Sequence, residues 1–226
     1  MCNLNQYFNS SIGKKQIVAT TGLLLILFVV GHLAGNLIIY LGPEAFNNYA
    51  KKLAGLRPGL YFVEVGLALV FLTHILVTAL LIIQNIKARP VGYRVYGDSG
   101  ERSFATRLMP YTGTFLLIFI IWHLFDFTFI DKHGSRSMLM GHSYGLFGVV
   151  YNSFVDPIHS LLYILAMCCL GFHLGHGIES FAQTFGCTNL TSTPLIKRIS
   201  YYSALIITVA YSSIPVYVFF SYPILK

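Results

Sequence analysis

Ile17-Val18-Ala19-Thr20-Thr21-Gly22-Leu23-Leu24-Leu25-Ile26-Leu27-Phe28-Val29-Val30-Gly31-His32-Leu33-Ala34-Gly35-Asn36-Leu37-Ile38-Ile39-Tyr40-Leu41 runs without a single charged side chain. At 1.5 Å per residue, a helix of this length crosses a hydrocarbon core of about 30 Å. The apolar residues are continuous rather than alternating, which reads as a helix and not as a barrel strand, and a helix satisfies its own backbone hydrogen bonds in lipid. The run also exceeds the roughly 7–15 residues of a signal-peptide core, and no small-residue cleavage site follows it, so it is read as a retained helix.

Four further runs of the same kind follow: Leu60 to Ile86, Leu108 to Ile130, Pro157 to Ile178 and Ile199 to Tyr222. Composition agrees, being 55% apolar and only 10% charged, where a soluble domain carries roughly 25% charge to coat its surface. The expected fold is all-α: a polytopic membrane protein forming one membrane domain over residues 1–226, with transmembrane helices near 17–41, 60–86, 108–130, 157–178 and 199–222.

The net charge is +7, but the Lys and Arg residues sit in the connections rather than in one stripe, so no nucleic acid is expected. With the N-terminus cytoplasmic, that side holds Lys14, Lys15, Lys87, Arg89, Arg94, Arg102, Arg107, Lys197 and Arg198, the orientation the positive-inside rule favours. The connection at 42–59 reads as a short interfacial helix around Ala45 to Ala50, ended at Arg57-Pro58-Gly59. The basic connection at 87–107, with Pro90, Gly92, Gly97 and Gly100, reads as irregular: either a docking surface for a soluble partner or a solvated loop. The segment 131–156 starts too polar to span and is expected along the outer surface. Cys2, Cys168, Cys169 and Cys187 show no CxxC spacing and read as small hydrophobes. No repeat or low-complexity tract is evident.

Histidines decide the chemistry. His32, His74, His123 and His173 occur one in each of the first four runs, each 14 to 16 residues after the run begins, hence roughly 21–24 Å from the face at which the helix enters. Successive helices are antiparallel, so His32 and His123 share one level near the outer face, and His74 and His173 share another near the cytoplasmic face. Two imidazoles at one depth on different helices are what six-coordinate haem iron takes, one from each side of the ring. Ionisable groups at membrane depth are costly and face the bundle interior. Gly31 and Gly35 beside His32, and Gly171 and Gly175 beside His173, leave room for a flat macrocycle or for a closely packed helix. Zinc or copper transport fits less well, because few carboxylates and no CxxC accompany the histidines. His176, one turn beyond His173, is a candidate for a haem propionate, and Asp126, three residues after His123, is a candidate acceptor of quinol protons. Glu64 is the other acidic residue within a run, and no role is read for His133, His142 or His159.

The same residues carry a family resemblance. Ser11-Ile12-Gly13-Lys14-Lys15 with Thr21-Gly22-Leu23, then Gly31-His32-Leu33-Ala34-Gly35-Asn36, resembles the start of the bacterial di-haem cytochrome b subunit of succinate dehydrogenase and fumarate reductase. Glu44-Ala45-Phe46-Asn47, Trp122-His123, and Phe172-His173 with Gly177 and Ser180-Phe181 extend the resemblance across essentially the whole chain. It implies five transmembrane helices, two haem b groups each held by two histidines, a flavoprotein and an iron–sulfur subunit on the cytoplasmic face, electron exchange with menaquinone, and residence in the bacterial cytoplasmic membrane. It also implies that His74 and His173 hold the proximal haem and His32 and His123 the distal one. The family's propionate partners are not matched in this sequence, which leaves Arg107 and His176 as the candidates. Some members carry a glutamate two residues before the fourth ligand histidine; here that position is Gly171, so no proton return by that route is expected. A histidine-lined transporter or channel and a one-haem cytochrome are the alternatives.

Overall fold

The computed structural model describes residues 4–88 and 104–221. Helix α1 (Leu4–Asn9) leads into α2 (Ser11–Leu37), which a 3-10 turn carries on to Leu41. Helix α3 (Pro43–Gly55) is followed by α4 (Gly59–Lys87), α5 (Phe104–Phe127), a two-stranded hairpin of β1 (Met138–Leu139) and β2 (His142–Ser143), α6 (Gly145–Val155), α7 (Pro157–Thr184) and α8 (Ser192–Ser221). Among the described residues five helices are long and apolar enough to cross a membrane, as the sequence predicts.

The helices outrun the apolar runs at one end of the bundle, here called the entry face. There α2 begins at Ser11 rather than Ile17, α7 continues to Thr184 and α8 starts at Ser192. Polar side chains end the apolar runs without ending the helices, since a backbone that satisfies its own bonds is at ease in headgroups as well as in lipid. Ser10 caps α2, its hydroxyl accepting from the Gly13 amide at 3.1 Å. Tyr7 of α1 donates to Gln16 of α2. Most of the basic connection, 89–103, lies outside the described residues.

Helix α2 packs on α4, α5 packs on α7, and α2 and α7 join the two pairs, with α8 laid against α7. Neither α2 with α5 nor α4 with α7 is among the closely packed pairs. No residue of α4 is fully buried. The dense core instead lies toward the far face, where Ile39, Phe46, Phe147, Tyr151, Phe154, Tyr163, Met167 and Val218 form one cluster.

The far-face segment corrects the expectation of a surface strip. Helix α6 buries Phe147, Val149, Val150, Tyr151 and Phe154 beneath α3 and against α5, α7 and α8. Asn47 of α3 fastens it, donating to the Tyr144 carbonyl at 2.7 Å and accepting from the Phe147 amide at 3.1 Å. The expected interfacial helix is present as α3, longer than Ala45 to Ala50. At the same face Arg57 and Glu64 form an exposed ion pair at 3.0 Å, worth little on its own.

Candidate functional site

The four span histidines fall at two levels, in each case on two helices that do not pack closely. His32 of α2 and His123 of α5 have ring centres 5.9 Å apart, their planes at 88°. A metal–imidazole bond is about 2 Å, so two rings bound to one iron from opposite sides hold their centres about 6 Å apart. At the other level His173 of α7 is an electrostatic neighbour of His74 of α4. All four side chains are half-buried.

In the layer near the entry face, a threonine meets each ring. The Thr21 hydroxyl lies 3.1 Å from His74 Nδ1, and the Thr112 hydroxyl lies 3.2 Å from His173 Nδ1. Beside each threonine is a glycine whose missing side chain lets the ring approach: a Cβ at Gly22 would stand 3.3 Å from His74 Cε1, and one at Gly113 would stand 3.4 Å from His173 Cε1.

Of the two uses read from sequence for the flagged glycines, room for a macrocycle or for a closely packed helix, the structure favours the second. A Cβ on Gly171 would collide with the Thr208 hydroxyl of α8, and one on Gly175 would come within 3.4 Å of Ala204. Gly35 faces the Tyr49 ring of α3. Three of the four therefore serve close helix packing, and only Gly31 has open space beside it.

The far-face layer adjoins a buried carboxylate and its polar partners. Asp126 is 6% exposed and accepts from the Tyr163 hydroxyl at 2.8 Å. Arg136 Nη1 stands 3.6 Å from its other oxygen, and His159 Nε2 lies 3.3 Å from the oxygen that Tyr163 holds. The histidine is close enough for charge attraction but not aligned for a hydrogen bond. Tyr163 also places its hydroxyl 3.4 Å from His123 Nδ1, linking the carboxylate to the ring. The buried carboxylate thus keeps three partners, as burial of a charge requires. Tyr163→Phe removes a bond to a charged group and is expected to lower stability by about 2 kcal/mol, read as an earlier unfolding midpoint in detergent; an unchanged midpoint would show that the hydroxyl contributes no net bond.

At the entry side His176 follows one turn after His173, and its Nδ1 is buried without a partner among the described residues. Arg107 is exposed at the start of α5. Sequence reading assigned no role to Thr21, Thr112, Gly22, Gly113, Tyr163, His159 or Arg136. One signal was present: Thr-Gly is followed after the same interval by His in both α2 and α5.

Fold and site together define a polytopic helical membrane protein with two levels of paired histidines in its interior. The chain is similar to the succinate dehydrogenase cytochrome b558 subunit of Bacillus subtilis (strain 168), with 29% identity over 200 residues covering 87% of this chain and 89% of that protein. The likeness read from the sequence motifs is thus borne out over nearly the full length of both chains. No family model and no solved structure matches.

Proposed function

We propose that this chain is a di-haem cytochrome b membrane subunit of a succinate:quinone oxidoreductase, acting as succinate dehydrogenase or fumarate reductase. The observation that carries the reading is the pair of imidazoles on α2 and α5, 5.9 Å apart across helices that do not pack together. His32 and His123 would hold one haem, and His74 and His173 the other.

The residues present suit such a group. Both entry-layer rings have Nδ1 engaged by threonine, which leaves Nε2 for a metal. The unpartnered Nδ1 of His176 is placed for a propionate, and Arg107 marks the same end of the bundle. Bound haem supplies reversible one-electron transfer at each level. The chain's own part is to fix the rings, exclude water with the apolar spans and hold a carboxylate near the distal layer. Asp126 is assigned the acceptor of protons from menaquinol, with Tyr163 and His159 bordering it.

Lys14, Lys15, Lys87, Arg107, Lys197 and Arg198 belong to the entry side, to which the sequence of the 87–107 connection adds Arg89, Arg94 and Arg102; that excess supports reading this side as the cytoplasmic one, in a bacterial cytoplasmic membrane, under the positive-inside rule. It is there that the flavoprotein and iron–sulfur subunits dock, within reach of the layer formed by His74 and His173. The test is the dithionite-reduced visible spectrum of the purified chain, with pyridine haemochrome quantification expected to give about two haem b per chain. One haem per chain points to a single-layer cytochrome; no low-spin haem b leaves a histidine-lined path and removes this reading.

A further inference from the structure

Helices α2 and α5 share more than a histidine. In each, a Thr-Gly pair precedes the histidine by the same interval, Thr21-Gly22 before His32 and Thr112-Gly113 before His123. In each, the threonine meets a histidine of the helix packed against it: Thr21 meets His74 on α4, and Thr112 meets His173 on α7. The two distances agree within 0.1 Å, at 3.1 and 3.2 Å. The bundle is therefore two similar helix pairs, α2 with α4 and α5 with α7. Each pair gives one histidine to each level and locks its own entry-level ring internally. The correspondence is confined to these few residues and is not a sequence repeat.

The direction of the bond follows from the threonine's other contacts. Thr21 Oγ1 lies 2.8 Å from the Ile17 carbonyl and 3.1 Å from that of Val18. Thr112 Oγ1 lies 3.1 Å from the Leu108 carbonyl and 3.2 Å from that of Met109. A carbonyl only accepts, so the single hydroxyl proton goes to the preceding turn. Toward the imidazole each threonine can then only accept, which puts the ring proton on Nδ1 and the free lone pair on Nε2. Both threonines are buried, so water does not compete for that proton. Gly22 and Gly113 line the approach: a Cβ at Gly22 would press on the His74 ring, and one at Gly113 would just touch the His173 ring.

We infer that Thr21 and Thr112 are positioning residues for the haem nearer the entry face, each fixing the tautomer and the plane of one axial histidine through its Nδ1–H. This rests on the di-haem reading above. An imidazole that donates at Nδ1 is a more basic ligand and favours ferric iron, so removing the acceptor should make that haem easier to reduce.

The experiment uses the full chain purified from its own membrane, with the entry-level haem identified by its loss in His173→Ala. Redox titration and low-temperature EPR are compared for Thr112→Val, Thr21→Val and the matching serine variants. Thr112→Val is expected to shift the oxidised-to-reduced ratio of the entry-level haem about tenfold toward reduced, which is about 59 mV for a one-electron couple, and to move its ferric g values. Thr21→Val should act in the same direction, through His74. Serine should restore both signals, and the other haem should stay as in the parent, serving as the control for folding. Unchanged potential and g values in both valine variants, an equal shift in the other haem, or serine variants as defective as valine would each overturn the inference. A parent chain with no haem would instead defeat the function reading and leave nothing for the threonines to position.

Discussion

His123→Ala is expected to lower haem content from about two per chain to about one, and the group lost should be the one whose loss His32→Ala also causes. The two rings face each other at 5.9 Å from α2 and α5, and a haem gripped from one side only is held far more weakly. The entry level draws on different side chains, His74 of α4 and His173 of α7, so its spectrum should persist. The four alanine variants should therefore fall into two classes, His32 with His123 and His74 with His173. Any other grouping, or retention of both haems in His123→Ala, would break the pairing. Truncation also empties space beside Phe119, Phe127 and Tyr163, whose rings lie 5.8, 5.3 and 6.0 Å from that of His123, and such a cavity carries its own cost of about 2–5 kcal/mol. His123→Phe keeps the ring volume without a ligand nitrogen. It should lose the same haem while keeping more of the stability, separating ligation from packing.

That grouping was legible in the sequence because lipid imposes a ruler. Continuous apolar runs fix where helices enter, chain reversal fixes their direction, and a histidine's offset then becomes a depth. What surrounds the rings was not legible. A threonine within an apolar span ordinarily back-bonds to its own helix, and Thr21 and Thr112 do so; only the folded bundle shows a histidine waiting on the other side of the hydroxyl. Tyr163 and His159 were silent because the cluster they form with Asp126 needs Arg136 brought back from the far-face loop. The segment 131–156, which holds α6, was read as lying along the surface because it starts too polar to span. Its apolar side chains are buried by covering the end of a bundle rather than by crossing lipid, and run length cannot separate those two fates.

Gly171→Glu is expected to prevent accumulation of a folded, haem-loaded chain. Sequence reading took the glycine as possible room beside His173, and also as the place where some relatives in the resembled family carry a glutamate. The fold removes the room: any Cβ there strikes the Thr208 hydroxyl, and Thr208 in turn bonds the Met167 carbonyl of α7 at 3.3 Å. Forcing even one methyl into a packed helix contact typically costs about 1–3 kcal/mol, and a carboxylate at membrane depth adds about 3 kcal/mol more. Gly171→Ala isolates the steric part and should lower the unfolding midpoint in detergent. Because the obstruction comes from the Thr208 side chain, Thr208→Ala should relieve it, so the double variant should be more stable than Gly171→Ala alone, a coupling that a cycle of the two substitutions measures directly. Additive effects would mean that α8 does not close this position. The charged variant should remain defective even with Thr208→Ala, since removing the clash leaves a carboxylate between α7 and α8 with the Ala204 carbonyl as its neighbour and, among the described residues near Gly171, no cation to pair it.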